Sequence, residues 1–157
     1  MIITRVGLGF DVHPFGGDRP LVLGGVTIDG PGLRGHSDAD PVAHAVADAL
    51  LGAAALPDLG TLYPATDDEL RGASSMAMLT DVTRRIEDRG YRIVNIDVVI
   101  AAEEPALAPH VAAMTESLKL AMRGSEVSVK PKRAEGLGAI GRAEGIAVWA
   151  VALIQRG

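Results

Sequence analysis

The sequence predicts an α+β fold with one small mixed sheet and helices on one of its faces. Alternating apolar residues over 91–102 indicate a strand with one buried face. The continuously apolar stretch 146–154 indicates a strand that is buried on both faces. Aromatic residues make up only 3% of the chain, so the core must be aliphatic. Because helices on one side cover only one face, we expect another subunit to pack on the other face.

The first third of the chain predicts a strand, a hairpin and a helix. The segments are, in order, a strand at 2–10, a break rich in proline and glycine at 14–20, short strands at 21–23 and 26–28, a loop at 29–39 and a helix that ends near 56–57. Gly24 and Gly25 separate the two short strands, which is typical of a tight hairpin. Asp40 is a good N-cap for the helix, and Pro41 suits its first position.

The remaining two thirds predict two more helices and three strands. The segments are an irregular loop at 58–67, a helix from 74 or 75 to 88, a strand at 91–102, a helix at 105–122 and strands at 127–130 and 146–154. Gly90 is expected to end the second helix. Met114 lies at helical spacing from other apolar residues, so we expect it in the core.

Length and composition limit the number of domains and the class of partner. The chain has 157 residues, so we expect a single domain over 1–157 with its own core. Its net charge of −5 argues against a general nucleic-acid or membrane-surface binder. The chain has no cysteine, no signal-peptide pattern and no apolar run long enough for a membrane span, so we expect a cytoplasmic protein.

Three of the four histidines lie within the first 44 residues, in two short segments. Asp11 and His13 are two residues apart, so in a strand their side chains share one face. His44 falls in the first turn of the predicted helix. Together the three side chains can hold a divalent metal ion and leave a fourth position open, as in catalytic zinc sites. An isolated Asp-x-His pair is common, so the prediction depends on all three residues.

Asp48 follows His44 by four residues and is therefore expected on the same helix face. Its carboxylate could hold the second ring nitrogen of a metal-bound histidine. In the preceding loop, His36 and Asp38 taken alone could simply close or cap a turn.

Four of the 15 basic residues fall in one glycine-containing stretch, namely Lys130, Lys132, Arg133 and Arg142. Such a cluster suits an anionic small molecule as ligand. A solvated basic loop is the competing interpretation.

A series of short segments, spread over nearly the whole chain, resembles one enzyme family. The segments are Gly-Phe-Asp-Val-His at 9–13, Gly-His-Ser-Asp-Ala-Asp at 35–40, Asp-Ala-Leu-Leu-Gly-Ala-Ala at 48–54, Asp-Leu-Gly at 58–60, Glu-Gly-Leu-Gly at 135–138 and Gly-Arg-Ala-Glu-Gly-Ile-Ala at 141–147. In this order they resemble the 2-C-methyl-D-erythritol 2,4-cyclodiphosphate synthases. The resemblance implies cyclisation of 4-diphosphocytidyl-2-C-methyl-D-erythritol 2-phosphate with release of CMP, a step of non-mevalonate isoprenoid biosynthesis.

The resemblance also implies roles for residues and an assembly. Asp11, His13 and His44 would hold a zinc or manganese ion, and a magnesium or manganese ion would bridge the substrate diphosphate with help from Glu135. Substrate contacts are expected from Asp11, His13, His36, Ser37, Asp58, Gly60, Lys132, Arg133 and Arg142, and catalytic roles from Asp48, Arg133 and Glu135. Family members are homotrimers with active sites between subunits, which agrees with the apolar stretch 146–154. Arg142 and Glu144 match residues that line the channel at the trimer axis.

The chain departs from the family pattern in three places. Ala65 replaces a substrate-side aspartate, and Ala106 replaces a lysine that many members place by the cytidine. Residues 131–135 are Pro-Lys-Arg-Ala-Glu where most members have Ala-Thr-Thr-Thr-Glu. Arg133 could compensate, because a guanidinium donates a fork of hydrogen bonds to phosphate.

Two alternatives therefore stay open beside the synthase. One is a non-catalytic paralogue that binds an isoprenoid diphosphate or another anion in a trimer channel. The other is a metal-dependent phosphoesterase, because a site of one aspartate and two histidines suits more than one reaction.

Overall fold

The computed structural model describes the whole chain, residues 1–157, and contains a five-stranded mixed sheet and a separate two-stranded hairpin. The seven strands are β1 (Ile3–Gly17), β2 (Leu21–Leu23), β3 (Val26–Ile28), β4 (Gly32–Leu33), β5 (Arg92–Ala101), β6 (Glu126–Lys132) and β7 (Gly145–Arg156). The sheet order is β4-β1-β7-β5-β6, and β2 pairs with β3. Only β5 and β6 run parallel, so the sheet is mixed as predicted.

The helices are α1 (Pro41–Ala53), α2 (Leu59–Leu62), α3 (Ser75–Asp88), α4 (Val111–Ala121) and α5 (Gly138–Gly141). The three longer ones, α1, α3 and α4, pack on one face of the sheet, which confirms the α+β prediction. A cluster of 35 buried residues forms the core, and Tyr91 is its only aromatic member, as expected for an aliphatic core. The longest helices, α1 and α3, have 13 and 14 residues, and no helix has the length and hydropathy of a membrane span.

Helix α1 lies directly on strand β1 because two glycines of the strand have no side chains. A Cβ atom added at Gly7 would lie 1.9 Å from the carbonyl oxygen of Ala49, and one added at Gly9 would lie 1.8 Å from that of Ala45. This close approach brings the first turn of α1, with His44, next to the segment of β1 that carries the other predicted metal ligands.

Asp40 joins the start of α1 to the β2–β3 hairpin. Its fully buried carboxylate accepts hydrogen bonds from the backbone N–H groups of Val42 (3.0 Å) and Ala43 (3.1 Å), as predicted for an N-cap. It also accepts from Gly24 (2.9 Å) and Gly25 (2.7 Å). The two glycines have φ values of 56° and 75°, which explains why glycine occupies both turn positions.

Strand β1 is longer than predicted, because it continues through the proline and glycine segment to Gly17. Its ladder with β7 extends to the pair Pro14–Gly145. Although Pro14 has no N–H, its carbonyl oxygen accepts a hydrogen bond from the N–H of Arg34 at 2.9 Å. Tertiary pairing therefore overrides the break that proline indicated.

Helix α4 begins later than predicted, at Val111 instead of 105, after a 3-10 turn at Ala108–His110. In a continuous α-helix from 105, Pro109 would have no N–H to donate to the carbonyl oxygen four residues earlier. Met114 is fully buried on this helix, as expected.

The second face of the sheet is not buried within one chain. On β7, Ile146, Val148 and Ala150 are fully buried, whereas Trp149 is 41% exposed and Val151 is 42% exposed. We use the term outer sheet face for six exposed apolar residues: Val6, Leu8, Phe10, Val12, Trp149 and Val151. The sequence predicted burial on both faces, and a single chain supplies it on one only. Cover by another subunit stays a prediction.

Candidate functional site

Asp11, His13 and His44 converge where β1 meets the first turn of α1. Asp11 Oδ2 lies 2.9 Å from His13 Nε2 and 3.0 Å from His44 Nδ1. One ligand atom from each residue lies within 4.8 Å of the other two. The three side chains are between 16% and 24% exposed, so the group is largely buried but still accessible. The predicted triad is thus brought together by the fold.

The contacts of His13 and Asp11 show that the site suits a cation. His13 Nδ1 lies 2.6 Å from the carbonyl oxygen of Arg34, which can only accept, so Nδ1 carries a proton and Nε2 faces Asp11. Burial would raise the pKa of Asp11, but hydrogen bonds from His13 and His44 outweigh it and lower the pKa to about 2. Burial lowers the pKa of His13, and the contact with Asp11 outweighs it and raises the pKa.

A charged carboxylate and two imidazoles therefore point at a common position. If Nε2 of His13 bears no second proton, its lone pair faces the carboxylate and is repelled unless a cation lies between them. A set of one carboxylate oxygen and two imidazole nitrogens suits zinc and other divalent transition metals. The donor set thus fits a divalent metal ion.

The second ring nitrogen of His44 is held by serines. His44 Nε2 lies 2.8 Å from Ser75 Oγ and 3.2 Å from Ser37 Oγ. Ser75, at the start of α3, is 1% exposed, and its hydroxyl donates to Asp38 Oδ1. The backbone N–H of Ser75 donates to Asp38 Oδ2 at 3.0 Å. No pattern in the sequence indicated Ser75 as a partner of His44, because the two residues are 31 positions apart and no spacing rule connects them.

Asp48 does not bind the ring of His44, so that interpretation is wrong. Its Oδ1 instead accepts a hydrogen bond from the backbone N–H of Leu59 at 2.7 Å, which ties α1 to α2. Helical spacing placed Asp48 on the correct side of α1 but could not show that a backbone donor of the following loop takes its carboxylate. Burial raises the pKa of Asp48, although the N–H of Leu59 opposes the change.

A cavity of about 270 Å³ opens beside the triad. Four further residues predicted from the sequence line it, namely His36, Ser37, Asp48 and Gly60. His36 Nε2 is buried without a hydrogen-bond partner, which is unusual for a polar atom in a folded protein. Ala65, at the position of the missing carboxylate, also lines this cavity.

Asp58 has a local role that the sequence did not predict. It caps α2, the short helix inside the loop that was expected to be irregular, and its Oδ1 accepts from the N–H of Thr61 at 2.8 Å. Its side chain is not among those that line the cavity.

A second, larger cavity of about 740 Å³ lies beyond the ends of β5 and β6 and is lined by Lys132, Arg133 and Ala106. Arg133 is paired with Glu103, and its Nε lies 3.1 Å from Glu103 Oε1. Glu103 Oε2 also accepts from the N–H of Ala134 at 3.1 Å. The guanidinium is 69% exposed, so it lies at the surface of this cavity with a carboxylate as its partner.

The other predicted residues of this region lie outside both cavities. Arg142 Nε lies 2.6 Å from Glu144 Oε1, and both side chains are exposed. Lys130 Nζ lies 2.7 Å from Asp97 Oδ2. Glu135 is exposed, with a φ of 54°. In one chain, Glu135 and Arg133 do not line the cavity beside the metal triad.

The model of the YgbB family matches residues 4–155. The chain belongs to the YgbB family. A 2-C-methyl-D-erythritol 2,4-cyclodiphosphate synthase from Pectobacterium atrosepticum is 52% identical over 155 residues, which are 97% of this chain and 94% of that protein. The resemblance found in the sequence is therefore confirmed.

Solved structures of this family share the fold. The bifunctional IspDF from Campylobacter jejuni has a TM-score of 0.96 at 39% identity and covers 100% of this chain, which spans 43% of that longer chain. A CDP complex of IspF from Plasmodium falciparum has a TM-score of 0.84 at 30% identity, over 96% of this chain and 95% of that one.

Proposed function

We propose that this YgbB-family protein catalyses the metal-dependent cyclisation of 4-diphosphocytidyl-2-C-methyl-D-erythritol 2-phosphate to 2-C-methyl-D-erythritol 2,4-cyclodiphosphate and CMP. The observation that carries the proposal is the convergence of Asp11, His13 and His44 in a chain about half identical to a synthase of that name. The protein is thus a lyase of isoprenoid precursor biosynthesis.

The triad would hold one divalent transition metal ion per subunit, zinc or manganese. Glu135 would help to hold a magnesium or manganese ion at the substrate diphosphate. Such ions polarise phosphoryl oxygens and neutralise the negative charge that grows when two phosphates meet.

In the reaction, an oxygen of the 2-phosphate attacks the phosphorus nearer to the erythritol and forms a new P–O bond. The bond from this phosphorus to CMP breaks, and CMP leaves with the electron pair. Because nucleophile and electrophile belong to one molecule, the chain needs no side-chain nucleophile, and its task is to align the two phosphates. His36 Nε2, which has no partner in the protein, and Ser37 would bind the substrate beside the triad, with Gly60 and Asp58 at the same loop.

Lys132 and Arg133 would bind the diphosphate oxygens, and Arg142 would hold an anion near the trimer axis. The exposed guanidinium of Arg133 would then leave Glu103 and donate to phosphate, a stronger anionic partner. Asp48 lines the cavity beside the triad, and burial raises the pKa of its carboxyl group. It would contact the reacting groups on the side of the metal ion.

We further propose a single domain and a homotrimer in which each active site lies between two subunits. The outer sheet face supports this arrangement, because six apolar side chains on two strands would otherwise face water. The separation of Arg133 and Glu135 from the triad cavity also supports it, since a neighbouring subunit could supply them. A cytoplasmic location is part of the same proposal.

Product analysis tests the proposed function. Metal-loaded protein incubated with the cytidine diphosphate substrate should yield a cyclic diphosphate and CMP in equal amounts, detected by mass. Inorganic phosphate as the product would favour the phosphoesterase instead. No turnover with any divalent metal would favour the non-catalytic paralogue, for which the changes at Ala65, Ala106 and Arg133 are the only support.

A further inference from the structure

The buried Ser75 and the half-buried Asp38 form a hydrogen-bonded pair next to His44, a predicted metal ligand. Ser75 Oγ lies 2.8 Å from His44 Nε2, and the Ser75 hydroxyl contacts Asp38 Oδ1. The pair comes from two separate segments, the loop before α1 and the start of α3, and Ser75 is 1% exposed. Direct hydrogen bonds through Ser75 therefore connect Asp38 to the His44 ring.

Proton counting fixes the direction of these hydrogen bonds. A serine hydroxyl has one proton, and an ionised carboxylate can only accept. The proton of Ser75 therefore lies towards Asp38, and Ser75 Oγ presents a lone pair to His44 Nε2. A neutral His44 ring that binds a metal ion through Nδ1, the nitrogen 3.0 Å from Asp11 Oδ2, must then carry its proton on Nε2, where Ser75 Oγ accepts it.

We propose that Asp38 and Ser75 are positioning residues that orient His44 and set its tautomer, so that Nδ1 is always the nitrogen offered to the metal. The ring of His13 is oriented in a similar way, but by a backbone group: its Nδ1 donates to the carbonyl oxygen of Arg34. Partners of this type behind a metal-bound histidine raise its basicity and fix its ring. The inference rests on the metal site of the proposed function but not on its reaction.

The test is metal affinity, measured by competition with a chelator for Zn²⁺ in the full-length protein. Ser75→Ala should weaken zinc binding about 10- to 100-fold, the usual effect of removing such a partner. Its backbone N–H to Asp38 Oδ2 stays, so the start of α3 keeps that contact. Asp38→Asn should weaken binding as well, because the amide can donate to Ser75 Oγ and turn the serine proton towards His44 Nε2.

Ser74→Ala is the matched control. Ser74 is the N-cap of the same helix, and its Oγ accepts from the N–H of Ala77 at 3.2 Å, but it does not contact His44. This variant should lose helix stability and keep the zinc affinity of the parent. An equal loss of affinity in Ser74→Ala would overturn the inference, since a loosened helix would then explain the effect.

A second measurement needs no variant. In zinc-loaded parent protein labelled with ¹⁵N-histidine, Nε2 of His44 should carry a slowly exchanging proton at low field, and Ser75→Ala should make that proton exchange faster. Absence of this proton in the parent, or unchanged zinc affinity in either Ser75→Ala or Asp38→Asn, would overturn the inference. A parent that binds no zinc, manganese or cobalt would contradict the proposed metal site and the inference together, whereas tight binding with unaffected variants contradicts the inference alone.

Discussion

Gly9 of β1 and Ala45 of α1 are in direct backbone contact, and a Cβ atom added at Gly9 would lie 1.8 Å from the carbonyl oxygen of Ala45. The three predicted metal ligands lie close to this contact: Asp11 and His13 follow Gly9 on the strand, and His44 precedes Ala45 on the helix. The spacing between strand and helix therefore controls the geometry of the triad.

Replacement of this glycine should damage both stability and the metal site. In Gly9→Ala the new methyl group must push α1 away from β1, at a cost of about 1–3 kcal/mol for overpacking. His44 moves with the helix, so zinc affinity should fall together with the free energy of unfolding. Urea unfolding and chelator competition measure the two effects. Gly52→Ala, on the same helix with nothing within 4 Å of its added Cβ, should be neutral or slightly stabilising.

His44→Ala should abolish turnover and leave the fold largely intact, because His44 is a predicted metal ligand and its side chain contributes little to the core. Metal content and product formation should both fall, while circular dichroism stays close to that of the parent. His110→Ala, which removes the one histidine outside the first 44 residues, is the control and should keep both. Full metal content and normal activity in His44→Ala would remove the triad from the mechanism.

The metal triad could be predicted because its geometry depends on local rules. A two-residue spacing on a strand and a capped helix start suffice to orient Asp11, His13 and His44, and the fold brings the two segments together. The same rules located the hairpin and most helices. They failed where a residue distant in sequence determines the structure. An example is the continuation of β1 past Pro14, which pairing with β4 stabilises.

The partners of the polar side chains could not be predicted for the same reason. Helical spacing placed Asp48 near His44. In the structure, however, the carboxylate of Asp48 accepts a hydrogen bond from the N–H of Leu59, and Ser75 is the hydrogen-bond partner of His44. Likewise, the basic cluster near the C-terminus suggested free cations, yet Arg133 is paired with Glu103 on another segment. A sequence shows which groups can form hydrogen bonds, whereas the fold decides which of them meet.

If the guanidinium binds the diphosphate, Arg133→Ala should lower kcat/KM by about 10- to 100-fold. This is the usual effect of losing a hydrogen bond to a charged group. Arg133→Thr, which restores the family residue, should retain more activity. Arg123→Ala is the control, because Arg123 is also exposed and paired with a glutamate, Glu87, at a distance of 3.3 Å. If Arg133→Ala is as active as the parent, the compensation hypothesis is wrong.

Asp81 should make the stability of the protein sensitive to acid. Hydrogen bonds from Tyr63, Arg84 and Arg85 lower the pKa of Asp81 well below its ordinary value. A lowered folded-state pKa adds stability above the unfolded-state value, about 3.9, and this stability is lost as the pH falls towards the folded-state pKa. The difference in unfolding free energy between the parent and Asp81→Asn should therefore be largest near neutral pH and shrink below about pH 4.

The control for this prediction is Asp68→Asn, because the Asp68 side chain is 93% exposed and lies 3.7 Å from its arginine partner. Its unfolding free energy should match that of the parent across the same pH range. Urea unfolding at each pH provides the measurement. A difference for Asp81→Asn that does not change with pH would mean that the charge of Asp81 contributes nothing to stability.

The outer sheet face should hold the protein together as a trimer. Trp149 and Phe10 form a tilted aromatic pair on this face, with ring centroids 5.2 Å apart. A charge at Trp149 would have to be buried in the assembly, so Trp149→Glu should dissociate the trimer to monomers in sedimentation at micromolar concentration, and activity should fall if the active sites lie between subunits. Leu120→Glu is the control, since Leu120 is 81% exposed on α4 and outside the sheet. It should sediment as the parent does. A parent that sediments as a stable monomer would contradict both the trimer and the active site between subunits.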